Sequence, residues 1–404
     1  MRKWALACAA LHLSFAPQLA HAQSSEDVKI GVLSDLTGAD SDIAGQGSVI
    51  AAQMAIEDAG GSVGGRKVVL VFADHQRKAD LANSIAARWF DNEGVDAVLD
   101  VPQSAAALAV QEVARQRNKI AIFSGPASSD LTGKACSPTG FHWTFDTVAV
   151  ANGTAAAVTK AGGKTWFFVT ADYAFGHALQ RDAAAVVEKN GGKVLGAVRH
   201  PVGSADFASF LLQAQASKAD VVGLANATAD FIGTVRQSNE FGLQQGGQKV
   251  AGLLAFITDI HSLGLSVAKG TRLTESFYWD LNDATREWSK KFAARHSGRM
   301  PTMVQAGVYS ATRHYLKAVA AANSKDGLTV AKKMKEMPVN DFMTDNAPIW
   351  ANGWVHRDFY LFEVKTPAES KGPWDYYNFI SKISADDAKP AGSGDACPLM
   401  KKAS

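Results

Sequence analysis

Short apolar segments rich in β-branched residues alternate with longer amphipathic segments, and this alternation constrains the fold more than any other feature of the sequence. The first run begins with VKIGVLSDL at Val28, continues with the helical GQGSVIAAQMAIEDAGG, and alternates as far as KIAIFSG at Gly125. The pattern restarts after Asp146 with KTWFFVTAD and continues to KVAGLLAFI. Strands separated by helices at this spacing form parallel sheets through crossover connections. The sequence therefore predicts an α/β fold with two Rossmann-like lobes in tandem.

The last third of the chain breaks this rhythm. Long helical patterns follow SFYWDLND, and a single strand pattern, DFYLFEVK, comes late. Helices without a sheet of their own must pack on an existing lobe. We therefore expect a three-segment hinge beside a cleft, with crossings near Phe145–Thr147, near Tyr278–Asp280 and in the segment Pro348–Trp354. The expected division is residues 27–146 and 280–348 for lobe I, 147–278 and 354–365 for lobe II, and 366–404 for a C-terminal tail.

The first 22 residues have the order of a secretory signal. Arg2 and Lys3 precede an apolar run, and the sequence Ala20-His21-Ala22 ends it with small residues. We expect cleavage after Ala22 and export to the periplasm. No later stretch approaches the roughly 20 uninterrupted apolar residues of a membrane span. Direct insertion into the membrane is therefore not expected.

Two cysteines, Cys136 and Cys397, remain after this cleavage. An oxidising compartment makes them natural disulfide partners. The alternative is a pair of unpaired, buried thiols. A bond between them would pin the C-terminal tail to the rest of the protein.

Charge and motifs argue against several classes of function. The formal charge of +2 includes Arg2 and Lys3, so the mature chain is close to neutral and has no field that suggests a nucleic-acid partner. The chain has no G-x-x-x-x-G-K-[ST], H-E-x-x-H, C-x-x-C or G-x-S-x-G motif, and its remaining histidines are not paired at ligand spacing. We therefore expect a binding protein without cofactor or metal, and not an enzyme.

Candidate binding residues of lobe I follow two predicted strands. In open parallel sheets, ligands bind at the carboxyl ends of the strands. Gln103 and Ser104 follow VDAVLDV and open an alanine-rich helix, and Ala127 and Ser128 follow KIAIFSG. A helix N-terminus offers unpaired N–H groups and a positive dipole end, which suit a carboxylate. The alternative for Ser104 is an ordinary helix cap.

Candidate residues of lobe II follow the same rule. Tyr173 and Phe175 come after KTWFFVTAD, Asn226 ends VVGLANA, and Asp259 follows KVAGLLAFI. Aromatic rings at the end of a buried strand can clamp an apolar ligand across a cleft. They can equally serve to pack the end of the lobe.

The chain resembles the type I periplasmic solute-binding proteins of the branched-chain amino-acid ABC transporter family, from about Val28 to Lys365. The motifs that carry the resemblance are IGVLSDLTG with the helix after it, KIAIFSGPASSDLT, FHWTFDT, VTADYAFGHAL, ADFASFLLQAQASKADVV and MPTMVQAGVYSA. Their order and spacing are more specific than any one of them. The resemblance implies a protein that binds a small solute between its lobes and delivers it to a membrane ABC permease.

The resemblance also implies a site. The family's carboxylate-binding residues fall on Ser104 and on Ala127 with Ser128, and its aromatic wall falls on Phe175 with Tyr173 nearby.

Two departures from the family bear on the ligand. Amino-acid binders usually hold the ligand ammonium with an acidic residue, whose position falls here on Phe256 or Ile257, with Asp259 just beyond. They also often carry a tyrosine at the position of Asn226-Ala227. A buried ammonium without its counter-charge is unfavourable by several kcal/mol. The ligand is therefore expected to be a carboxylate, either an amino acid or, in view of these departures, an aromatic acid. An extracellular ligand-sensing subunit of the same fold and a secreted enzyme are the alternative functions.

Overall fold

The computed structural model describes residues 27–393 and 396–400. The predicted signal peptide lies outside the described residues. The strands are β1 (Val28–Ser34), β2 (Ser62–Val63), β3 (Arg66–Asp74), β4 (Ala97–Asp100), β5 (Ile120–Phe123), β6 (Gly140–His142), β7 (Thr165–Ala171), β8 (Lys193–His200), β9 (Val221–Ala225), β10 (Lys249–Gly252), β11 (Arg272–Glu275), β12 (Val339–Asp341), β13 (Thr344–Ala347), β14 (Phe359–Val364) and β15 (Tyr377–Ile383).

The helices alternate with these strands in the first two thirds of the chain. They are α1 (Gly45–Asp58), α2 (Ala79–Asp91), α3 (Ser104–Gln116), α4 (Thr147–Val150), α5 (Ala156–Lys160), α6 (Ala174–Lys189), α7 (Ala208–Ala216), α8 (Thr228–Glu240), α9 (Ile257–Leu263), α10 (Leu265–Ala268), α11 (Asp283–Arg295), α12 (Met303–Ala322), α13 (Gly327–Glu336) and α14 (Ala385–Ala388). A π-helical turn, Ala151–Ala155, makes α4 and α5 continuous.

Lobe I is built on a six-stranded sheet with the order β2-β3-β1-β4-β5-β6. All its neighbouring strands are parallel except β2, which pairs antiparallel with β3. Every residue of β4 and β5 is buried, as expected for strands covered by helices on both faces. Helices α1 and α12 pack together, and α2 packs with α3. The carboxyl ends of β4 and β5 therefore lie side by side.

Lobe II contains a parallel sheet, β10-β9-β7-β8, and an antiparallel sheet, β11-β14-β15. The predicted α/β class with two parallel sheets is confirmed. The antiparallel sheet was not expected, because β11 is only four residues long and β15 lies in the segment assigned to the tail. Two of the residues of β15, Phe379 and Ile380, are exposed, so its sequence lacks the apolar-in, polar-out pattern of a half-buried strand.

The chain passes between the lobes three times. It leaves β6 of lobe I and enters α4, it leaves β11 of lobe II and enters α11, and it returns from β13 to β14. Isolated bridges join His142 of β6 to Trp354 and Ile349 to Val355, so the third crossing is hydrogen-bonded to β6 and folds back on itself. The residue boundaries given above for each lobe stay a prediction.

The predicted disulfide between Cys136 and Cys397 is present, with the two Cα atoms 5.7 Å apart. It joins a loop of lobe I to the last turn of the described chain. Among the described residues, no helix combines the length and the apolar character that a membrane crossing requires.

Candidate functional site

The N-terminus of α3 has the features of an anion site. Gln103 is the N-cap, and its side-chain oxygen accepts a hydrogen bond from the Ala106 N–H at 2.7 Å. Ser104 is the first residue of the helix and is 1% exposed. Because the first N–H groups of a helix have no partner within it, those that Gln103 does not satisfy remain available to a ligand. A carboxylate there also meets the positive end of the helix dipole.

Ser104 connects the ends of β4 and β5. Its hydroxyl oxygen accepts from the Ser128 N–H at 3.2 Å, which leaves its own proton free to donate. The Ser128 hydroxyl accepts from the Asp130 N–H at 3.4 Å. The Ala127 carbonyl accepts from the Thr147 N–H at 2.8 Å, whereas no acceptor for the Ala127 N–H occurs in the described part of the chain. The structure thus brings together the four lobe I residues that the sequence predicted.

Strained backbone lies directly before this helix. Asp100 and Val101 have φ angles of 80° and 51°, a region that non-glycine residues rarely adopt. The fully buried Asp100 carboxylate accepts from the Ser34 hydroxyl at 2.8 Å. Burial raises the pKa of Asp100 to about 7. Strain of this kind concentrates at ligand sites, where the surrounding structure holds it in place.

The aromatic residues of lobe II lie at the start of α6. Tyr173 is its N-cap and Phe175 lies in its first turn, and the centroids of their rings are 5.6 Å apart. Phe175 belongs to the same buried apolar cluster as Ala127, Phe145 and Phe256, and Tyr173 packs against that cluster. Helix α6 also contacts α3, so the predicted aromatic wall and the predicted carboxylate-binding residues lie on neighbouring elements.

Phe256 and Asp259 lie at the start of α9. The Phe256 ring contacts Phe145 of the first crossing, with centroids 5.8 Å apart. The Asp259 carboxylate accepts from the Phe256 N–H at 3.0 Å, so it caps its own helix. Burial raises the pKa of Asp259 to about 7. A carboxyl group with that pKa is only partly ionised near neutral pH and is a weak counter-charge for an ammonium.

Asn226 lies inside lobe II, in a polar cluster. Its amide nitrogen hydrogen-bonds His200 at 3.2 Å and donates to Thr234 at 3.0 Å, and the residue is fully buried. Its amide oxygen has no partner among the described residues. A direct contact between Asn226 and the ligand stays a prediction.

Asp40 and Arg77 of lobe I, which the sequence reasoning did not select, contact lobe II. Arg77 pairs with Asp40 at 3.4 Å, and the two side chains lie near Tyr173 and Thr228 of lobe II. Burial raises the pKa of Asp40 to about 6, against the opposing effect of Arg77. Arg77 follows the carboxyl end of β3, so the rule that selected Ser104 would also have found it.

A second set of contacts closes the lobes nearer the hinge. The Ser129 hydroxyl donates to Asp182 of α6 at 2.7 Å, and Arg181 pairs with Asp130 at 3.3 Å. The two lobes therefore meet over the predicted binding residues, and the structure is closed. Within the described ranges, no group of three or more His, Cys, Asp or Glu residues is placed to hold a metal ion.

Comparisons with known proteins concern the family and the fold of the chain. Residues 27–373 match the model of a family described as periplasmic binding protein. A periplasmic binding protein from Burkholderia mallei is 46% identical, with a TM-score of 0.91 over 93% of this chain and 99% of its own. A branched-chain amino acid ABC transporter periplasmic ligand-binding protein from Burkholderia xenovorans is 38% identical, with a TM-score of 0.83 over 93% of this chain and 100% of its own.

A more distant structure has the same fold. The solute-binding protein of an ABC transporter from R. palustris, in complex with benzoate, is 19% identical, with a TM-score of 0.78 over 88% of this chain and 96% of its own. Comparison with curated protein sequences gave no match. The family match spans most of the chain, and both Burkholderia structures align along nearly their whole length. As its motifs indicated, the chain belongs to the periplasmic binding protein family.

Proposed function

We propose that this protein is the solute-binding subunit of an ABC importer and that its ligand is a small aromatic monocarboxylate. The observation that carries the proposal is the pairing of a carboxylate-binding helix end in lobe I with a buried aromatic cluster that includes residues of both lobes. The family supports a binding role and a periplasmic location. In this proposal the signal is cleaved after Ala22, the closed form docks on a membrane permease, and the protein carries out no catalysis.

The carboxylate is held without a cationic side chain. The Ser104 hydroxyl can donate to one carboxylate oxygen, and the Ala127 N–H and the first N–H groups of α3 can donate to the other. Hydrogen bonds to an ionised group are shorter and stronger than bonds between neutral groups. The helix dipole adds a favourable contribution that falls off within the first turn.

The remainder of the ligand is apolar in this proposal. Phe145, Phe175 and Phe256 are all buried, and the partly buried Tyr173 contacts Phe175. Aromatic rings pack well against a benzoate-type ring in offset or edge-to-face arrangements. The resemblance places Phe256 or Ile257 where amino-acid binders of the family carry an acid, and the Asp259 carboxylate caps its own helix. The chain therefore lacks a ready counter-charge for an α-ammonium.

A branched-chain amino acid is the second candidate ligand. It is favoured by the Burkholderia xenovorans relative, which is named as a branched-chain amino acid transporter component. Asp259 would then have to ionise fully, or Asp40, which already pairs with Arg77, would have to share its charge with the ammonium. The R. palustris structure shows that the fold accommodates benzoate in that protein.

A thermal-shift panel separates these candidates. The mature protein is mixed with benzoate, cinnamate, leucine and benzamide, the last being a neutral analogue of benzoate. A ligand at 100 times its Kd adds about 2.7 kcal/mol to the free energy of unfolding, which is easily seen. We expect benzoate or cinnamate to raise the melting temperature and benzamide to have no effect. A shift with leucine alone, or an equal shift with benzamide, would contradict the proposed ligand class.

A further inference from the structure

The C-terminal segment, which the structure describes over residues 384–393 and again at Cys397, connects one lobe to the other past the hinge. It leaves β15, which belongs to the antiparallel sheet of lobe II, and forms α14. The Ala385 N–H donates to Asp358 at 3.0 Å, and the Asn152 amide donates to the Ala388 carbonyl at 3.0 Å. The segment ends at Cys397, which is bonded to Cys136 of lobe I. It is therefore a fourth connection between the lobes, in addition to the three crossings.

Lys389 anchors this segment in the hinge. The side chain is 1% exposed, and its ammonium pairs with the fully buried carboxylate of Asp146 in the first crossing. The same ammonium donates to the Thr132 hydroxyl of lobe I at 3.1 Å and lies 4.1 Å from the centre of the Trp354 ring in the third crossing. One buried charge thus contacts two crossings and lobe I at once. A buried ion pair favours one geometry strongly, because a displaced partner leaves an uncompensated charge.

Chain length shows which contact limits motion. Cys397 lies 14 positions after Ile383, and a chain of that length could span about 48 Å when extended. The disulfide alone therefore leaves the two lobes free to separate. Lys389 lies only six positions after Ile383, and that length could span about 20 Å. The ion pair of Lys389 therefore limits separation more tightly than the disulfide does. The disulfide holds the end of the segment near lobe I, so Lys389 stays close to Asp146 and re-forms the ion pair readily if it breaks. This is the effective-concentration effect of a short linker.

We propose that Ser384–Cys397 is a hinge strap: Lys389 ties the first and third crossings together, the Cys136–Cys397 bond keeps the strap seated, and the strap limits how far the cleft opens. Without the strap, the lobes separate more often. This inference concerns the hinge and does not depend on which ligand the cleft binds.

Hydrogen exchange measured by mass spectrometry on the ligand-free mature protein tests the strap. The double variant Asp146→Asn/Lys389→Met removes both charges of this ion pair, so neither partner is left as a buried charge without its counter-charge. The readout is the exchange of segments that meet between the lobes but do not touch Lys389, namely the loop around Asp40 and the first turns of α6. We expect exchange about tenfold faster there, with β1 and β7 unchanged.

A matched control is Lys365→Met/Asp375→Asn, which removes another largely buried ion pair within lobe II. This control should leave exchange in the Asp40 loop and α6 at the wild-type rate. Wild-type exchange in those segments of the Asp146/Lys389 variant would overturn the proposal, as would equal acceleration in β1 and β7. If that variant does not fold, Cys136→Ser/Cys397→Ser decides the same question, since it frees the end of the strap; unchanged exchange between the lobes would again reject it.

Discussion

Ser104 combines two functions that a sequence pattern cannot separate. It opens a helix, and it also joins two strand ends by accepting the Ser128 N–H, with its own proton left for a ligand. The hydroxyl oxygen of an ordinary capping serine accepts a hydrogen bond from an N–H of its own helix. Here the Gln103 side chain caps the helix. The structure therefore favours the binding role for Ser104.

The Ser104→Ala variant should bind its carboxylate ligand about tenfold to a hundredfold more weakly, because a hydrogen bond to a charged group contributes roughly 1.5–3 kcal/mol. Isothermal titration calorimetry with the best acid from the panel measures this loss. Ser84→Ala, on the exposed face of α2, is the control and should bind like wild type. Unchanged affinity in Ser104→Ala would show that the carboxylate is held elsewhere.

Asp100 should make stability depend on pH. Because burial raises its pKa from 3.8 to about 7, its contribution to stability is complete below about pH 4 and is lost as the pH rises through 7. Asn mimics the protonated form and does not titrate. Asp100→Asn should therefore gain stability relative to wild type between pH 4.5 and 7.5, by up to about 1.4 kcal/mol per pH unit. Urea unfolding at both pH values measures the difference, and a pH-independent difference would contradict the assignment.

The strand-end rule predicted part of the site at the residue scale. It found Ser104 and Ser128 because small hydroxyl residues and alanines there stand out against the apolar strands. The same rule reaches Asp40 after β1 and Arg77 after β3, but neither residue stands out from the other polar residues of its loop. Their importance comes from contacts with Tyr173 and Thr228, which are far away in the sequence.

The third crossing depends on one glycine. Gly353 has a φ of 85°, its carbonyl accepts from the His142 N–H at 3.0 Å, and a Cβ there would overlap the Gly140 carbonyl oxygen. The two backbones lie close together, and this allows the hydrogen bond between the third crossing and β6. A glycine is required at position 353 because of its positive φ angle and because a Cβ would overlap the facing backbone.

Gly353→Ala should lower the free energy of unfolding by about 3 kcal/mol or more, because backbone strain and steric overlap add. Gly60→Ala is a matched control, since Gly60 has a φ of 81° but nothing within 4 Å of an added Cβ. The free energy of unfolding of Gly60→Ala should fall by only about 1–2 kcal/mol, because an alanine there meets the strain of the left-handed backbone without a steric overlap. Chemical denaturation compares the two. Equal losses would show that the contact with Gly140 is unimportant.

Elements inside a continuous apolar run or a long amphipathic pattern were predicted, and the others were missed. Strands β1 and β7 and helices α11 and α12 are long, and the four residues each of β4 and β5 lie inside the apolar runs VDAVLDV and KIAIFSG. In contrast, β6 has only three residues, and β11 has the sequence RLTE with a charged residue at each end. Strand β15 has an exposed apolar pair and follows a segment rich in Pro, Gly and Lys, so its pairing with β14 depends on tertiary contacts.

The whole molecule is held closed by side chains that reach across the cleft. The Tyr173 hydroxyl meets Arg77, and Arg181 and Asp182 of α6 meet the Ser129-Asp130 turn. The two-lobed architecture followed from the strand and helix alternation. The closing contacts could not be predicted, because they pair residues of different lobes whose approach depends on the hinge.

Tyr173→Phe should weaken closure without disturbing the aromatic wall. The ring remains, and only the polar interaction between the Tyr173 hydroxyl and Arg77 is lost. A polar interaction of this kind contributes about 0.5–1.5 kcal/mol, so we expect the ligand to dissociate about two to ten times faster in stopped-flow experiments, while the ligand-free protein keeps its melting temperature. Tyr360→Phe, on β14, is the control. Wild-type dissociation in Tyr173→Phe would contradict a role for this contact in closure.

The most direct test of the binding account is a crystal structure of the mature protein with benzoate, or with whichever acid of the panel binds most tightly. The account predicts a closed protein whose ligand carboxylate lies within hydrogen-bonding distance of the Ser104 hydroxyl and the Ala127 N–H, with the ring between Phe145, Phe175 and Phe256. A carboxylate bound by Arg77 at the outer edge of the cleft, or a ligand outside the cleft, would contradict it.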